Sequence, residues 1–195
     1  MSLKNHSVAA LFLTLNLAAA VAWAGPITLS LTPSSSTVQV GDHFDVVVAV
    51  AGAQAAPYTG DEVLGFGFDV DLGAASLVAW TAATVAIPPF ADDLSALLLN
   101  TDVAGSVGFG AGLPDDAFTL AVLSFTALAE GTLDLGIASD LLDLNEGLIY
   151  LLGDPLDLRA SIPVTISAAE GAAPLPATLA LLLVGLPWLW RRDYR

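Results

Sequence analysis

The sequence predicts an all-β fold, an antiparallel β-sandwich, for the stretch 25–167. In this stretch, apolar residues alternate with polar or small residues in short runs, which is the period of strands that bury one face. Glycine, proline, aspartate and serine separate the runs at short intervals, as the turns of an antiparallel sandwich require. The length of the stretch suits one domain with a single core.

The clearest predicted strand covers residues 64–72. Its two sides carry, in alternation, large apolar residues (Phe66, Phe68, Val70, Leu72) and small or acidic ones (Gly65, Gly67, Asp69, Asp71). Successive side chains of a strand point to opposite faces, so the apolar set belongs to the core. The two glycines on the other face predict that a backbone segment or a long side chain covers that face.

Further strands are predicted on both sides of this one. They cover residues 27–31, 38–40, 44–50, 77–85, 105–110, 118–128, 132–137, 148–151 and 162–167. Segment 94–100 fits a short helix or a strand equally well. Trp80 lies inside the apolar run 77–85, so we expect it in the core.

The first 24 residues have the pattern of a secretory signal peptide. Lys4 supplies the positive charge, an apolar stretch follows over residues 8–20, and Ala22 and Ala24 form a small-x-small cleavage site before Gly25. The stretch is too short for a lasting membrane span, so we expect cleavage and export. An uncleaved N-terminal anchor is the alternative.

The C-terminal end has three parts. They are an alanine-rich linker over residues 168–173, a box of Pro174, Leu175, Pro176 and Ala177, and an uncharged apolar run that ends at Arg191 and Arg192. The prolines keep a helix from starting earlier, so one transmembrane helix is predicted over residues 177–190. At about 1.5 Å per residue it is short for a hydrocarbon layer of about 30 Å. The arginines suit the cytoplasmic side. A buried C-terminal helix is the alternative.

This tail, residues 174–195, resembles the PEP-CTERM sorting signal, and most closely its VPLPA-type variant. The resemblance implies that an exosortase-type membrane peptidase reads the proline box and removes the tail. It also implies export, with a transient inner-membrane anchor before the protein reaches the cell surface or the extracellular space.

The order of the predicted strands resembles that of cohesin-like modules, which are nine-stranded jelly-roll sandwiches. The matching pieces, within residues 27–166, are Val38-Gln-Val-Gly-Asp42, residues 64–71, residues 120–127 with the turn Glu130-Gly131, and residues 162–166. Two departures from the family pattern are Leu72-Gly73 in place of the usual proline after Asp71, and a longer loop over residues 51–63. The resemblance implies a non-catalytic binding module.

The charge of the domain is extreme. Residues 25–173 hold nineteen acidic residues, whereas Arg159 is their only lysine or arginine. A field of this sign disfavours DNA, RNA and anionic polysaccharides as partners. The chain has no cysteine, which excludes disulfides, thiol catalysis and cysteine-ligated zinc.

Catalytic patterns are weak in this sequence. His43 is the single histidine of residues 25–173, so no histidine-based triad or multi-histidine metal centre can be built there. Carboxylate pairs occur at Asp42/Asp45, Asp69/Asp71, Asp92/Asp93 and Asp115/Asp116. In so acidic a chain some pair always reaches the spacing of a glycosidase. We therefore assign no catalytic residue, cofactor or metal, and predict that the protein is not an enzyme.

Segment 140–147, Asp-Leu-Leu-Asp-Leu-Asn-Glu-Gly, places oxygen ligands before a glycine and admits two interpretations. An EF-type calcium loop needs glycine at its sixth position and glutamate at its twelfth. Counted from Asp143, the glycine comes one place early and Asp154 stands where the glutamate belongs. A plain β-turn is the prediction, and a calcium-stiffened loop is the alternative.

Aromatic residues give the remaining hint of a ligand. Five of them fall in or near predicted loops and strand ends: Tyr58, Trp80, Phe90, Phe109 and Tyr150. Exposed rings stack on sugars. Tyr58, flanked by Pro57 and Thr59, is expected to be the most exposed and is the candidate ligand contact.

Two functions are compatible with these observations. The first is a non-catalytic surface or extracellular-matrix protein that binds another surface protein and contributes to a polymer layer or biofilm. The second is a carbohydrate-binding module for extracellular polysaccharide, built on the same sandwich.

Overall fold

Residues 26–35 and 37–169 are described by a computed structural model, and this part of the chain is all β, with no helix. Its strands are, in chain order, β1 (Thr28–Pro33), β2 (Val38–Gln39), β3 (His43–Ala51), β4 (Val63–Asp71), β5 (Val78–Val85), β6 (Asp92–Asp93), β7 (Val103–Ser106), β8 (Ala117–Ala127), β9 (Gly131–Ala138), β10 (Gly147–Tyr150) and β11 (Ala160–Ser167).

The strands form two sheets. The four-stranded sheet has the order β1-β3-β8-β5, and the seven-stranded sheet has the order β2-β11-β9-β4-β7-β6, with β10 also paired to β4. Strand pairs are antiparallel apart from β2 with β11, which is parallel. The predicted all-β fold is confirmed, with this one parallel pair as the exception to its antiparallel pattern.

The core lies between the two sheets. From the four-stranded sheet, β3 contributes Val46, Val48 and Val50, which alternate with less buried residues along the strand. From the seven-stranded sheet, Phe66 and Phe68 are buried with their ring centroids 5.7 Å apart. Each such side chain contributes about 1.5–3 kcal/mol when it is fully removed from water. The apolar alternation in the sequence therefore marks the side of each strand that holds the sandwich together.

Strands β9 and β10 lie one after the other on the same side of β4. Ala138, the last residue of β9, pairs with Asp69, and Gly147, the first residue of β10, pairs with Gly67. On β4, only Phe68 separates the two paired residues Asp69 and Gly67. On the other chain segment, the eight residues 139–146 separate their partners and leave the sheet. The segment between these two strands is thus a loop inserted into an otherwise continuous line of pairing.

Most predicted strands are confirmed within a residue or two, and three expectations are wrong. Segment 94–100 is neither helix nor strand but a turn, in which the N–H of Leu97 donates to the carbonyl of Leu94 at 2.9 Å. The strand predicted over 105–110 is β7, which ends at Ser106, since Gly108 adopts a φ of +72° that extended backbone does not have. Eleven strands replace the ten predicted, because β6 is an additional two-residue piece.

The turn after β4 depends on a glycine. Gly73 has a φ of +53°, and its N–H donates to Oδ1 of Asp71 at 2.9 Å. A Cβ at this position would lie 2.5 Å from the carbonyl oxygen of Asp134. Glycine is therefore needed both for the backbone conformation and for the close approach of the neighbouring chain.

Several sequence predictions lie outside the described residues and stay predictions. They are the signal peptide 1–24 with its cleavage residues Ala22, Ala24 and Gly25, and the tail 174–195 with Pro174, Leu175, Pro176, Ala177, the helix 177–190, Arg191 and Arg192. Among the residues that the structure does describe, no helix has the length and apolar character to cross a membrane.

Candidate functional site

Tyr58, the predicted ligand contact, is half-buried. Its ring stacks on Tyr150 with centroids 3.9 Å apart and an angle of 9° between the planes. Tyr150 is itself buried and donates its hydroxyl to the carbonyl of Ala53 at 2.9 Å. The expectation that Tyr58 is the most exposed of the five rings is wrong. Phe109, in the glycine-rich loop after β7, is fully exposed instead.

The other aromatic candidates belong to the core or its margin. Phe90 is buried and packs edge-on against Phe66 at 4.7 Å between ring centroids. Trp80 is partly buried against the core, and its indole N–H donates to the carbonyl of Ala82 at 2.8 Å. These rings stabilise the sandwich and are not free to stack on a ligand.

His43 and most of the acidic pairs have structural roles. His43 is exposed on β3, with Nδ1 2.9 Å from the hydroxyl of Thr126 on β8. The carboxylates of Asp42 and Asp116 accept backbone N–H groups in turns, each at 2.9 Å. Asp69 differs from them because it meets carboxylates that are distant in the sequence, on the outer side of the seven-stranded sheet.

Two loops border this outer side. Loop 94–102 connects β6 to β7, and loop 139–146 connects β9 to β10. Both expose large apolar side chains: Leu97 (73% exposed), Leu99 (99%), Leu142 (92%) and Leu144 (84%). We call the two loops and the outer side of β4, β7 and β10 beside them the leucine face. Single exposed leucines are common on protein surfaces, whereas four on two adjoining loops are unusual.

An apolar hollow of about 200 Å³ lies within the leucine face. Its lining includes Gly65 of β4 and Gly105 of β7, together with Leu94, Leu98 and Ile149. A Cβ on Gly105 would face the core, whereas Gly65 has no side chain on the outer side of the sheet, so the hollow is open at Gly65.

A second, acidic hollow of about 640 Å³ adjoins the first, since Asn145 lines both. Its lining combines the carboxyl groups of Asp69, Asp140, Asp143 and Glu146 with the exposed Leu142 and Leu144. No lysine, arginine or histidine of the described residues lines either hollow. The leucine face is therefore apolar and strongly negative at once.

Glu146 is the buried centre of this arrangement, with only 1% of its surface exposed. Its carboxyl group accepts the backbone N–H of Asp140 and, at 3.3 Å, the hydroxyl of Thr101. One side chain therefore ties the last residue of loop 139–146 to the beginning of the same loop and to loop 94–102.

The like charges around Glu146 change its protonation. Burial raises its pKa, the N–H of Asp140 opposes that effect, and the charges of Asp69 and Asp143 raise it further. The pKa of Asp69 is raised as well, by burial and by Asp102, Asp143 and Asp140, against one backbone N–H that lowers it. These two groups hold protons more tightly than ordinary carboxyls.

Loop 139–146 consists of turns that are stabilised by aspartate side chains of the same loop. Oδ1 of Asp140 accepts the N–H of Leu142 at 2.9 Å, and Oδ1 of Asp143 accepts both the N–H and the side-chain amide of Asn145 at 2.9 Å. The predicted turn in segment 140–147 is confirmed. Within residues 26–35 and 37–169, no three acidic, histidine or cysteine side chains are grouped so that they could hold a metal ion.

Gly67 explains how the loop can lie on the sheet. The backbone carbonyl of Asn145 occupies the space where a Cβ of Gly67 would be, and the methyl group of Thr101 is 3.1 Å from that point. The expectation that a backbone segment covers the glycine side of β4 is confirmed at this position. Any larger residue would push the loop off the sheet.

A third hollow, of about 380 Å³, lies at the opposite end of β10. Its lining includes Tyr58, Thr59, Asp61, Leu152 and Asp154, and we call it the tyrosine hollow. Burial raises the pKa of Tyr58, and the charges of Asp154 and Asp61 raise it further.

The Asp61 carboxylate in the tyrosine hollow is almost fully buried. It accepts the backbone N–H groups of Glu62 at 2.8 Å, Leu152 at 3.1 Å and Gly153 at 2.8 Å. Burial alone would raise its pKa, but these donors together lower it below the ordinary value.

Sequence reasoning missed the leucine face, although a signal for it exists. Segment 140–146 has the aspartates and asparagine of a turn, yet it contains three leucines. Residues 97–99 are likewise all leucine, next to Asn100. A turn offers no regular apolar side that could bury such residues, so leucines within a turn sequence predict an exposed apolar surface.

No family model and no curated protein matches the chain. Several solved structures are similar to it, among them two cohesin modules. The cohesin module of a family 33 glycoside hydrolase from Clostridium perfringens is 14% identical with a TM-score of 0.47, and the match covers 73% of this chain and 96% of that module. The seventh ScaB type I cohesin from Pseudobacteroides cellulosolvens is 13% identical with a TM-score of 0.43, over 74% and 94% of the two chains.

Proposed function

We propose that the domain is a non-catalytic binding module that docks a protein partner on the leucine face. The observation that carries this proposal is the exposure of four leucines on the two loops, Leu97 and Leu99 on loop 94–102 and Leu142 and Leu144 on loop 139–146, which between them border the apolar and the acidic hollow. Removing apolar surface from water contributes about 25 cal/mol per Å², so covering these side chains supplies a driving force for association. The hollow gives the contact a defined shape.

The charge of the leucine face specifies the chemistry of the partner. Asp69, Asp140 and Asp143 surround the exposed leucines of loop 139–146. A partner segment with lysine or arginine beside apolar residues matches this pattern in both respects. A second copy of the domain does not, because Arg159, its only strong base between residues 25 and 173, already faces Asp157 at 3.6 Å.

Two synthetic peptides of equal length test this docking. Both carry the same leucines, and the remaining positions are lysine in one and glutamate in the other. We expect the lysine peptide to bind in fluorescence anisotropy and the glutamate peptide not to bind. Leu142→Ser together with Leu144→Ser should weaken binding by about tenfold or more, because the lost apolar contact is worth more than 1.4 kcal/mol.

Leu152→Ser is the matched control, since Leu152 is exposed to the same 84% as Leu144 but lines the tyrosine hollow. It should leave the affinity unchanged. Equal weakening by the control and the double variant, or binding of the glutamate peptide, contradicts the proposal. Dimers that dissociate on the Leu142/Leu144 change would assign the face to self-association instead.

For the regions outside the described residues, we propose export and sorting. The pattern Ala22-Trp23-Ala24 supports cleavage before Gly25, and the order of proline box, apolar run and arginines supports removal of the tail by an exosortase-type membrane peptidase. The protein then passes from a transient inner-membrane anchor to the cell surface, where its binding module contributes to an extracellular layer.

Intact-mass measurement of protein from the native host tests this processing. We expect a chain that begins at Gly25 and ends near residue 173, and replacing Pro174 and Pro176 by alanine should retain a full-length membrane form. Surface protein that still carries Arg191 and Arg192 would show that the tail is a permanent anchor.

A second candidate function is glycan binding in the tyrosine hollow. The supporting observation is the aromatic ring of Tyr58 next to the exposed Thr59 and Asp154, a combination that suits stacking and hydrogen bonding to a sugar. A glycan array with the wild type and Asp154→Asn tests it. Binding of neutral glycans that the variant loses supports this function, and an array without binding removes it.

A further inference from the structure

We propose that Glu146 is the positioning residue of the leucine face and that its charge decides whether loop 139–146 stays docked on the sheet. Uncharged, the side chain holds the loop against β4 and loop 94–102. Ionised, it loosens the loop, and the exposed leucines lose their fixed arrangement. The effect on partner binding rests on the proposed function, whereas the effect on the loop does not.

The first argument is the way in which Glu146 is held. It is 1% exposed, and it bonds both the N–H of Asp140 and the hydroxyl of Thr101. Leu142 and Leu144 lie between Asp140 and Glu146 in loop 139–146, and the backbone of this loop lies directly on Gly67. The loop therefore depends on this side chain at both ends.

The second argument is the set of charges that face this group. From β4 comes Asp69, from its own loop come Asp140 and Asp143, and from loop 94–102 comes Asp102, whose N–H donates to Oδ1 of Asp69 at 3.2 Å. All four groups are aspartates, and none of them can carry a positive charge. A negative charge on Glu146 is thus buried among carboxylates, where each additional charge costs free energy.

The consequence is a loop that responds to pH. Burial and the neighbouring carboxylates raise the pKa of Glu146, so it takes up a proton at a higher pH than a free glutamate does. Mild acid therefore fixes the loop, and a surface that is ordered before binding loses less entropy when its partner arrives. At higher pH, the ordering has to occur during binding.

Hydrogen exchange read by mass spectrometry tests the loop directly, across a pH series and after correction for the intrinsic exchange rate. In the wild type, we expect exchange in residues 139–146 to become several-fold faster as the pH rises. Glu146→Gln, which keeps the shape without the charge, should keep the loop slow at every pH. Glu146→Ala, which removes both attachments, should leave it fast at every pH. Residues 152–154 serve as the internal control and should not change in either variant.

A loop that exchanges alike in the wild type and in Glu146→Gln at neutral pH overturns the proposal. The lysine–leucine peptide separates this failure from that of the proposed function. Slow exchange in Glu146→Gln without any peptide binding removes the docking function but keeps the loop response. Equal peptide affinity for the wild type and Glu146→Gln, together with unchanged exchange, removes the loop response and keeps the docking function.

Discussion

The two buried carboxyl groups at the ends of β10 are held in opposite ways. Asp61 accepts the N–H of the adjacent Glu62 and, just after this strand, those of Leu152 and Gly153, and its pKa is lowered. Glu146 comes just before the strand, receives one backbone N–H and one hydroxyl, lies close to other carboxylates, and has a raised pKa. Both are almost fully buried. Because burial raises the pKa of both groups, the opposite directions come from the number of N–H donors and from the charge of the neighbours.

The two groups therefore give stability opposite dependences on pH. Asp61 has a lowered folded pKa, so its contribution is present above the unfolded value of 3.8 and is lost as the pH falls through the folded pKa. Glu146 has a raised folded pKa, so the folded state binds its proton more tightly than the unfolded state does. The free energy of unfolding then falls as the pH rises from the unfolded value of 4.5 through the folded pKa.

The largest expected effect on stability comes from displacing loop 139–146, which carries Glu146, from the sheet. Gly67→Ala places a Cβ where the carbonyl of Asn145 lies, and overpacking of this kind costs about 1–3 kcal/mol. We expect a lower midpoint of denaturant unfolding and fast hydrogen exchange in residues 139–146. Gly110→Ala is the control, because nothing lies within 4 Å of its added Cβ and its φ is not positive. Equal stability of the two variants would show that the loop does not rest on Gly67.

The second change removes the charge on the other side of β10. Asp61→Asn replaces one of two acceptor oxygens by a donor, which then opposes the N–H groups of Leu152 and Gly153. We expect a fall in Tm of several degrees at neutral pH, and a difference from the wild type that shrinks as the pH drops below 3.8. Asp154→Asn, an exposed change in the same hollow, should leave the Tm unaltered. A Tm difference that grows in acid would contradict the lowered pKa of Asp61 in the folded state.

The smallest expected effect belongs to Glu146→Gln, and it has the opposite sign. Since the ionised form is disfavoured in the fold, removing the charge should stabilise the domain at neutral pH by less than about 1 kcal/mol. The difference should vanish below pH 4.5, where the wild type is protonated in both states. Urea unfolding across the pH range measures it. A destabilised Glu146→Gln at neutral pH would mean that the hydrogen bond from Asp140 outweighs the surrounding charges.

Periodic parts of the fold could be predicted from the sequence, and irregular parts could not. The alternation in residues 64–72 predicts β4 and its buried phenylalanines, because one side of the strand must face the core. Loop 94–102 could not be predicted. Leu94, Leu97 and Leu98 have the spacing of one face of a helix, yet the segment forms a turn. Strand β6 escapes as well, because two aspartates join the sheet only through pairing with Ser106 and Gly105.

The candidate site was harder to predict than the fold because it depends on contacts distant in the sequence. Asp69 and Asp71 suggest a local pair, yet Asp69 interacts with Asp102 and Asp143. Only the topology brings these loops together. The burial of Tyr58 is unpredictable for the same reason, since its ring is covered by Tyr150, far along the chain.

The excursion between β9 and β10 has a consequence for how this domain can diversify. Pairing on β4 stops at Asp69 and resumes at Gly67, so the hydrogen-bonded frame is complete without the residues in between. Insertions, deletions or a grafted sequence of another length between Ala138 and Gly147 leave the strand register intact. A new sequence at this junction would therefore change the surface beside β4 without changing the strand register, although the contacts of Ser139 and Glu146 would have to be replaced for stability.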